Sequence, residues 1–303
     1  MKLGTVERPD GSAVVVEVAD EQAAVLPYPD LDHLVADPDW RQAAETAADR
    51  GERIAVADLA WLPPVRRPGK VLCVALNNSA NPDRIISGPD TPAMFPEPSS
   101  ALVGHRRPIR LKDAYGRVHP EPELAVVIGT GGADIAVADA PDHVLGYTIF
   151  NDLTSPTMRQ TDTFHYRAIH PDAEDPAGVR YVESWVSYPA RYKGADTFGP
   201  LGPWMTTSGD IPDPHALRIT CSHDGRVVTD DSTANLRFSV AEVIAFASGY
   251  LTLEPGDVIA MGTALKASAQ GGAVQNVDLN TLGGTIEVAI EGIGVLSNPV
   301  HRR

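Results

Sequence analysis

The chain has 303 residues, with 40 acidic against 25 basic side chains and a formal net charge of −15. That length fits two small domains or one larger one with an appendage, and that charge repels phosphate backbones and anionic lipid, so nucleic acid and membrane surfaces are excluded as ordinary partners. Glycine and proline number 26 each, which favours many short strands and loops over long helices.

Residues 1–27 read as a hairpin: KLGTV and SAVVVEVA are strand-like and RPDGS between them is turn-like. Residues 28–50 read as helical, interrupted at Pro38. LPPVRRPGK at 62–70 reads as a proline-rich linker, which sets a small N-terminal domain at 1–65 and a larger one at 66–303. VLCVAL (71–76), ELAVVIG (123–129) and HVLGYTIFND (143–152) read as buried strands, and SALVG and IRLK as shorter ones. Residues 77–100 are polar and proline-rich, a loop long enough for a lid or a binding segment. Residues 155–195 show no clear period and read as irregular. ALRITCSHDGRVVTDD is a hairpin turning at Asp224-Gly225, and SVAEVIAFASGYLTL has helical spacing. EPGDVIAMGT is a turn and a strand, and GGTIEVAIEGIGVLSNPV a terminal strand pair. The class is therefore α+β, dominated by strands. Cys73 and Cys221 are the only cysteines, the N-terminus has no apolar signal core, and no apolar run reaches membrane-spanning length. A reduced cytoplasmic setting is expected.

The stretch HPEPELAVVIG holds the chemistry. Glu121 and Glu123 stand two apart at the head of an apolar strand, which puts both carboxylates on one face. Asp152 ends the next apolar strand. If the two strands pair, three carboxylates converge and raise one another's pKa. A divalent cation resolves that repulsion, and an all-oxygen set suits Mg²⁺, Mn²⁺ or Ca²⁺ rather than Zn²⁺. The spacing alone is met more often by solvated strand-end carboxylates.

HPEPELAVVIG, GYTIFNDLTS, KGADTFGPLGPW, IPDP, LEPGDVIAMGT and IEGIGVLSNPV occur in this order. Together they resemble the catalytic domain of the fumarylacetoacetate hydrolase family, from about Lys70 to the C-terminus, and the hairpin and helix before them resemble that family's small N-terminal domain. The resemblance implies a mixed β-sandwich roll, usually a homodimer. It implies a divalent metal, Mg²⁺ first with Mn²⁺ or Ca²⁺ as alternatives, held by Glu121, Glu123 and Asp152. It makes Lys193 of KGADTFGP the active-site lysine, suited to stabilising an enolate or carboxylate. Thr263 of MGT, Tyr147, Arg159 and Asn78 become candidate substrate contacts.

The departures are as informative. The family's hydrolases carry NYxxHxxE after the first buried strand, and its His–Glu pair activates water. Here NNSANPDRI puts Asn78 at the aromatic, Asn81 at the histidine and Arg84 at the glutamate, and asparagine takes no proton at neutral pH. FPEPSS puts Glu97 where the family's FxKPxS has lysine. DLTSPT puts Pro156 and Thr157 where an Arg-Asp pair helps bind a carboxylate. His165 and His170, in a segment longer than the family leads one to expect, are candidate replacement bases; His119 suits a supporting role. The expected function is a metal-dependent enzyme acting on a small 1,3-dicarbonyl or 2-oxo acid through a metal-stabilised enolate. Decarboxylation, isomerisation or cyclisation is expected rather than water-driven cleavage. Two alternatives stay open: a C–C bond hydrolase with a replacement base, and a non-catalytic metal-containing binding protein.

Overall fold

The computed structural model describes residues 1–269 and 271–302. The N-terminal stretch forms strands β1 (Lys2–Glu7), β2 (Ala13–Ala19) and β3 (Gln22–Val25), so the expected hairpin gains a third strand. Two helices follow, α1 (Leu31–Ala36) and α2 (Trp40–Arg50), with Pro38 in the gap between them. Asp30 caps α1 by accepting from the His33 amide, and α2 buries Trp40, Ala44 and Ala47, one stripe at helical spacing. Short strands β4 (Arg53–Ala55) and β5 (Ala60–Leu62) complete this part.

The rest of the chain supplies β6 (Val71–Ala75), β7 (Ala93–Glu97), β8 (Leu102–Val103), β9 (Ile109–Leu111), β10 (Pro122–Ile128) and β11 (Val144–Asn151). Helix α3 (Pro156–Thr161) leads into β12 (Thr163–Pro171) and β13 (Val179–Ser187), and α4 (Ala190–Lys193) into β14 (Gly199–Thr207). After these come β15 (Arg218–His223), β16 (Arg226–Ser232), α5 (Val240–Ser248), β17 (Val258–Ala260), α6 (Leu279–Leu282), β18 (Thr285–Ile290) and β19 (Gly294–Arg302). No helix is long and apolar enough to cross a membrane among the described residues.

One sheet runs in the order β4-β3-β2-β1-β14-β11-β10-β17-β6-β7, with β5 on β1 and β8 on β14. The N-terminal strands extend it through β1, where Leu3 pairs with Met205. A second sheet runs β16-β15-β18-β19-β9. Register sorts the side chains. Leu124, Val126, Tyr147 and Ile149 face the side where Ile219, Val288 and Leu296 of the second sheet and Val243 of α5 join the same buried cluster. Ala125, Val127 and Phe150 face the other side, in a cluster with Cys73 and with Leu31, Leu34 and Trp40 of the two N-terminal helices. The main sheet is thus covered on both faces, which explains why its central strands are near-continuous apolar runs.

The main sheet curls. β7 lies four strands from β11, about 19 Å along a flat sheet. Yet a carboxylate oxygen of Glu97, at the end of β7, lies within 4.8 Å of one of Asp152, just past β11. Side chains of that length close the gap only if the sheet rolls.

One expectation is corrected. Residues 163–187 are not irregular but a regular hairpin, with Thr163 opposite Ser187 and Pro171 opposite Val179. Phe164, Tyr166, Ile169, Tyr181 and Trp185 are all exposed on it. With neither face buried, nothing imposes an alternating pattern, and the period is lost.

A pH effect arises from the loop between β8 and β9. Buried His105 accepts from the Ser297 amide at Nδ1 (3.0 Å) and meets Trp61 edge-on. Burial, with Arg106 adding repulsion, pushes its pKa down to about 4. The neutral ring is the folded form, so its contribution is full above the unfolded value of about 6.5 and is lost as pH falls toward the folded one. The cost reaches about 3 kcal/mol at most. His105→Asn, which keeps an acceptor for Ser297 but does not titrate, is expected to flatten the fall in urea-unfolding stability across that window; an unchanged slope would contradict this.

Candidate active site

The paired strands β10 and β11 set the frame. Glu121 precedes β10 and Glu123 is its second residue, while Asp152 directly follows β11. The Asp152 amide donates to the Glu121 carbonyl (2.9 Å), and the Glu121 amide donates to Asn151 Oδ1 (2.8 Å). These bonds hold Glu121 and Asp152 side by side. One carboxylate oxygen from each of Glu121, Glu123 and Asp152 lies within 4.8 Å of the others.

Lys193, the last residue of α4, is buried against them. Its Nζ donates to Glu121 Oε2 (2.6 Å) and Asp152 Oδ2 (2.7 Å) and lies 5.5 Å from the Phe95 ring centroid. The Thr263 hydroxyl stands 3.0 Å from Glu121 Oε2 and 3.1 Å from Glu123 Oε1, and its single proton serves one of them at a time. The Gly262 amide donates to Glu123 Oε2 (2.7 Å). That residue must be glycine: its φ is +99°, and a Cβ there would sit 2.8 Å from Asn77 Cβ and 3.0 Å from the Val74 carbonyl.

Two more groups complete the cluster, and the sequence had not placed them there. Cys73 on β6 and Glu97 on β7 each bring a ligand atom within 4.8 Å of Asp152. Burial pushes Glu97 and Glu123 well above the usual carboxylate range, with Asp152 repelling both, and it raises Asp152 too. For Glu121 burial works the same way, but Lys193 and His119 outweigh it and hold the acid below its ordinary value. Burial opposes the Lys193 charge, yet Asp152, Glu121 and Glu123 keep the ammonium well above its usual range. One lysine therefore compensates one of four acids, three of them buried. Asp152 Oδ1 and both Glu97 oxygens have no hydrogen-bond partner. Three converging carboxylates, with Asp152 Oδ1 orphaned among them, fit a hard divalent cation.

Other candidates stand elsewhere. Tyr147 pairs with Val126, on the face of the sheet opposite Glu123, and is buried in the core between the sheets. Strand alternation, not distance along the chain, keeps it from the cluster. Asn78 is spent on structure: its Nδ2 donates to Asp231 Oδ2 (3.0 Å) and its Oδ1 accepts from the Ala80 amide (3.0 Å). Arg159 is exposed on α3, close enough to Tyr192 to lower that phenol's pKa, although burial raises it overall. His165 and His170 sit on exposed β12, where His165 stacks on Trp185 at 3.9 Å and pairs with Glu183. His119 is buried, with Nδ1 3.2 Å from the Pro120 carbonyl and 3.8 Å from Glu121 Oε1. Asn81 and Arg84 are exposed on the loop before β7. Surface clefts, such as the one lined by Lys2, Arg218 and Gly292, carry none of the cluster's groups.

A curled sheet packed on a second one, with an ExE–Asp–Lys cluster at its centre, can be compared with known proteins. The family model described as "Fumarylacetoacetate (FAA) hydrolase C-terminal" matches residues 70–301. The mitochondrial oxaloacetate tautomerase fahd2 of Xenopus laevis is 31% identical over 261 residues, covering 86% of this chain and 74% of that protein. The crystal structure of a 5-carboxymethyl-2-hydroxymuconate delta-isomerase from Mycobacterium smegmatis superposes with a TM-score of 0.74 at 29% identity, over 100% of both chains. Maleylpyruvate hydrolase from Sphingobium sp. SYK-6, solved with manganese(II) and pyruvate, has a TM-score of 0.75 at 26% identity, covering 100% of this chain and 99% of that one. Tautomerase, isomerase and hydrolase share this frame, and this chain belongs with them to the fumarylacetoacetate hydrolase family.

Proposed function

We propose that this enzyme moves a proton on a small 2-oxo acid or 1,3-dicarbonyl compound, by tautomerisation or isomerisation, with decarboxylation open to the same enolate, rather than cleaving a C–C bond with water. The observation that carries this reading is the loop before β7. Where a hydrolase of the family places its His–Glu pair, this chain has exposed Asn81 and Arg84, and Asn78 is tied to Asp231. Neither Asn81 nor Arg84 is a base that could activate water at those two positions.

Glu121, Glu123 and Asp152 would hold a hard divalent cation, Mg²⁺ or Mn²⁺, which when bound polarises a substrate carbonyl as a Lewis acid. The remaining work falls to the protein. Lys193, kept charged by the acids around it, is a fixed positive group for the negative charge that develops on the enolate. Gly262 and Thr263 fix the direction of Glu123. Burial excludes water, which strengthens each of these interactions. Tautomerisation moves one proton between the α-carbon and the carbonyl oxygen and consumes no water, so it needs a proton shuttle but not the activated nucleophile that the missing dyad would supply. The hydrolase reading draws its support from the Sphingobium neighbour. The hairpin β12–β13 bears on assembly: an isolated two-stranded ribbon with apolar side chains bare on both faces needs cover, which supports a homodimer.

The test sets two reactions side by side with Mg²⁺ or Mn²⁺ present. Decay of enol-oxaloacetate to the keto form is expected at ordinary enzyme rates, about 1–10³ s⁻¹. Cleavage of acetylpyruvate is expected to be slower by about 10²–10⁴-fold, the worth of the absent base. Acetylpyruvate turnover at ordinary enzyme rates would overturn the proposal.

A further inference from the structure

Glu97 has no role in the chemistry above, yet it lies at the site's edge with its carboxylate aimed inward. It is 5% exposed, and neither of its oxygens meets an N–H or hydroxyl donor; the group within hydrogen-bonding reach is the Asp152 carboxylate. Cys73 beside it is a free thiol, 1% exposed. The third neighbour, Asp152, is divided between two environments. Its Oδ2 accepts from Lys193, while its Oδ1 is unpartnered. Cys73, Glu97 and Asp152 each bring one ligand atom within 4.8 Å of the other two.

We infer that Cys73, Glu97 and Asp152 form a second cation site, joined to the Glu121–Glu123–Asp152 site through the shared Asp152 carboxylate. The inference rests on reading that first site as a cation site. The donor chemistry of the two differs. Three carboxylates suit a hard ion, whereas a thiolate with two carboxylates suits Zn²⁺ or a similar borderline ion with one position left open. Cys73 gives up its proton when the ion binds. The family's lysine at the Glu97 position would fill this space with a positive charge, so the second site belongs to the change from lysine to glutamate in FPEPSS. The rival occupant is a single proton shared by Glu97 and Asp152.

Metal stoichiometry separates the two. Full-length protein loaded with Mn²⁺ is dialysed against Zn²⁺, and in parallel metal-free protein is loaded with Co²⁺ and examined by absorption. Two divalent cations per chain in total are expected, one of them Zn²⁺, with a thiolate-to-cobalt charge-transfer band that disappears in Cys73→Ser. Glu97→Gln is expected to weaken binding of that Zn²⁺ by about 10- to 100-fold. A single cation per chain in the wild-type protein, or a Co²⁺ spectrum without the thiolate band, would overturn the inference, and neither result depends on a variant folding. Mn²⁺ binding tracked by electron paramagnetic resonance keeps the two sites apart. Glu123→Gln is expected to lose tight Mn²⁺ binding and keep the thiolate band. Wild-type protein that binds no Mn²⁺ would instead remove the first site on which this one rests.

Discussion

Lys193→Met is expected to cost the cation-free protein about 3–5 kcal/mol of stability and to slow turnover by about 10²–10³-fold. Lys193 is 8% exposed, and its ammonium bonds Glu121 and Asp152 at once. Methionine fills a similar volume, so the loss is electrostatic. Asp152, which cannot reach water, and Glu121, which is 16% exposed, are left facing each other, with Glu97 and Glu123 near them. The protein has two ways to relieve this: protonate further acids, or bind a cation more tightly. Added Mg²⁺ or Mn²⁺ is therefore expected to restore part of the stability by binding the folded state, and none of the turnover. Urea unfolding with and without the ion, set beside kcat, checks both halves. A variant as stable as wild type without metal, and as active with it, would mean that Lys193 is a bystander.

Glu123→Gln is expected to act with the opposite sign on the cation-free protein. Glutamine can accept from the Gly262 amide through its carbonyl oxygen and donate to the Thr263 hydroxyl through its NH₂, so the local frame survives. What disappears is one acid whose charge is penalised first by burial and then by Asp152. The metal-free variant is expected to be at least as stable as wild type. The gain in melting temperature that Mn²⁺ gives the wild-type protein should vanish, with affinity down at least about 100-fold and turnover lost. Thermal unfolding across a Mn²⁺ titration reads both effects. A full Mn²⁺-induced shift in the variant would take Glu123 out of the ligand set.

Legibility in the sequence followed burial. β6, β10 and β11 are covered on both faces, so they stand out as apolar runs, and the glutamates at the head of β10 stand out against them. The same alternation placed Glu121 and Glu123 on one face, and it could also have removed Tyr147, which differs from Asp152 by an odd number of positions along one strand. The hairpin β12–β13 was invisible because it buries neither face. Cys73 and Glu97 were missed for another reason. Their meeting with Asp152 depends on strand order and on the curl of the sheet, which local patterns do not encode. Glu97 left one signal: a carboxylate closing a short strand, AMFPE, where the family resemblance calls for lysine. His165 and His170 were offered as candidates without a position, because a histidine in a sequence carries no geometry.

The central claim is that the buried carboxylate–lysine cluster is a cation-dependent site for proton transfer on a 2-oxo acid. Its most direct test is the rate of enol-oxaloacetate decay with wild-type protein, stripped of metal by a chelator and then resupplied with Mn²⁺. The account predicts the uncatalysed rate for the stripped protein and full recovery on resupply, after subtraction of the Mn²⁺-only reaction. Equal catalysis by stripped and resupplied protein would contradict it.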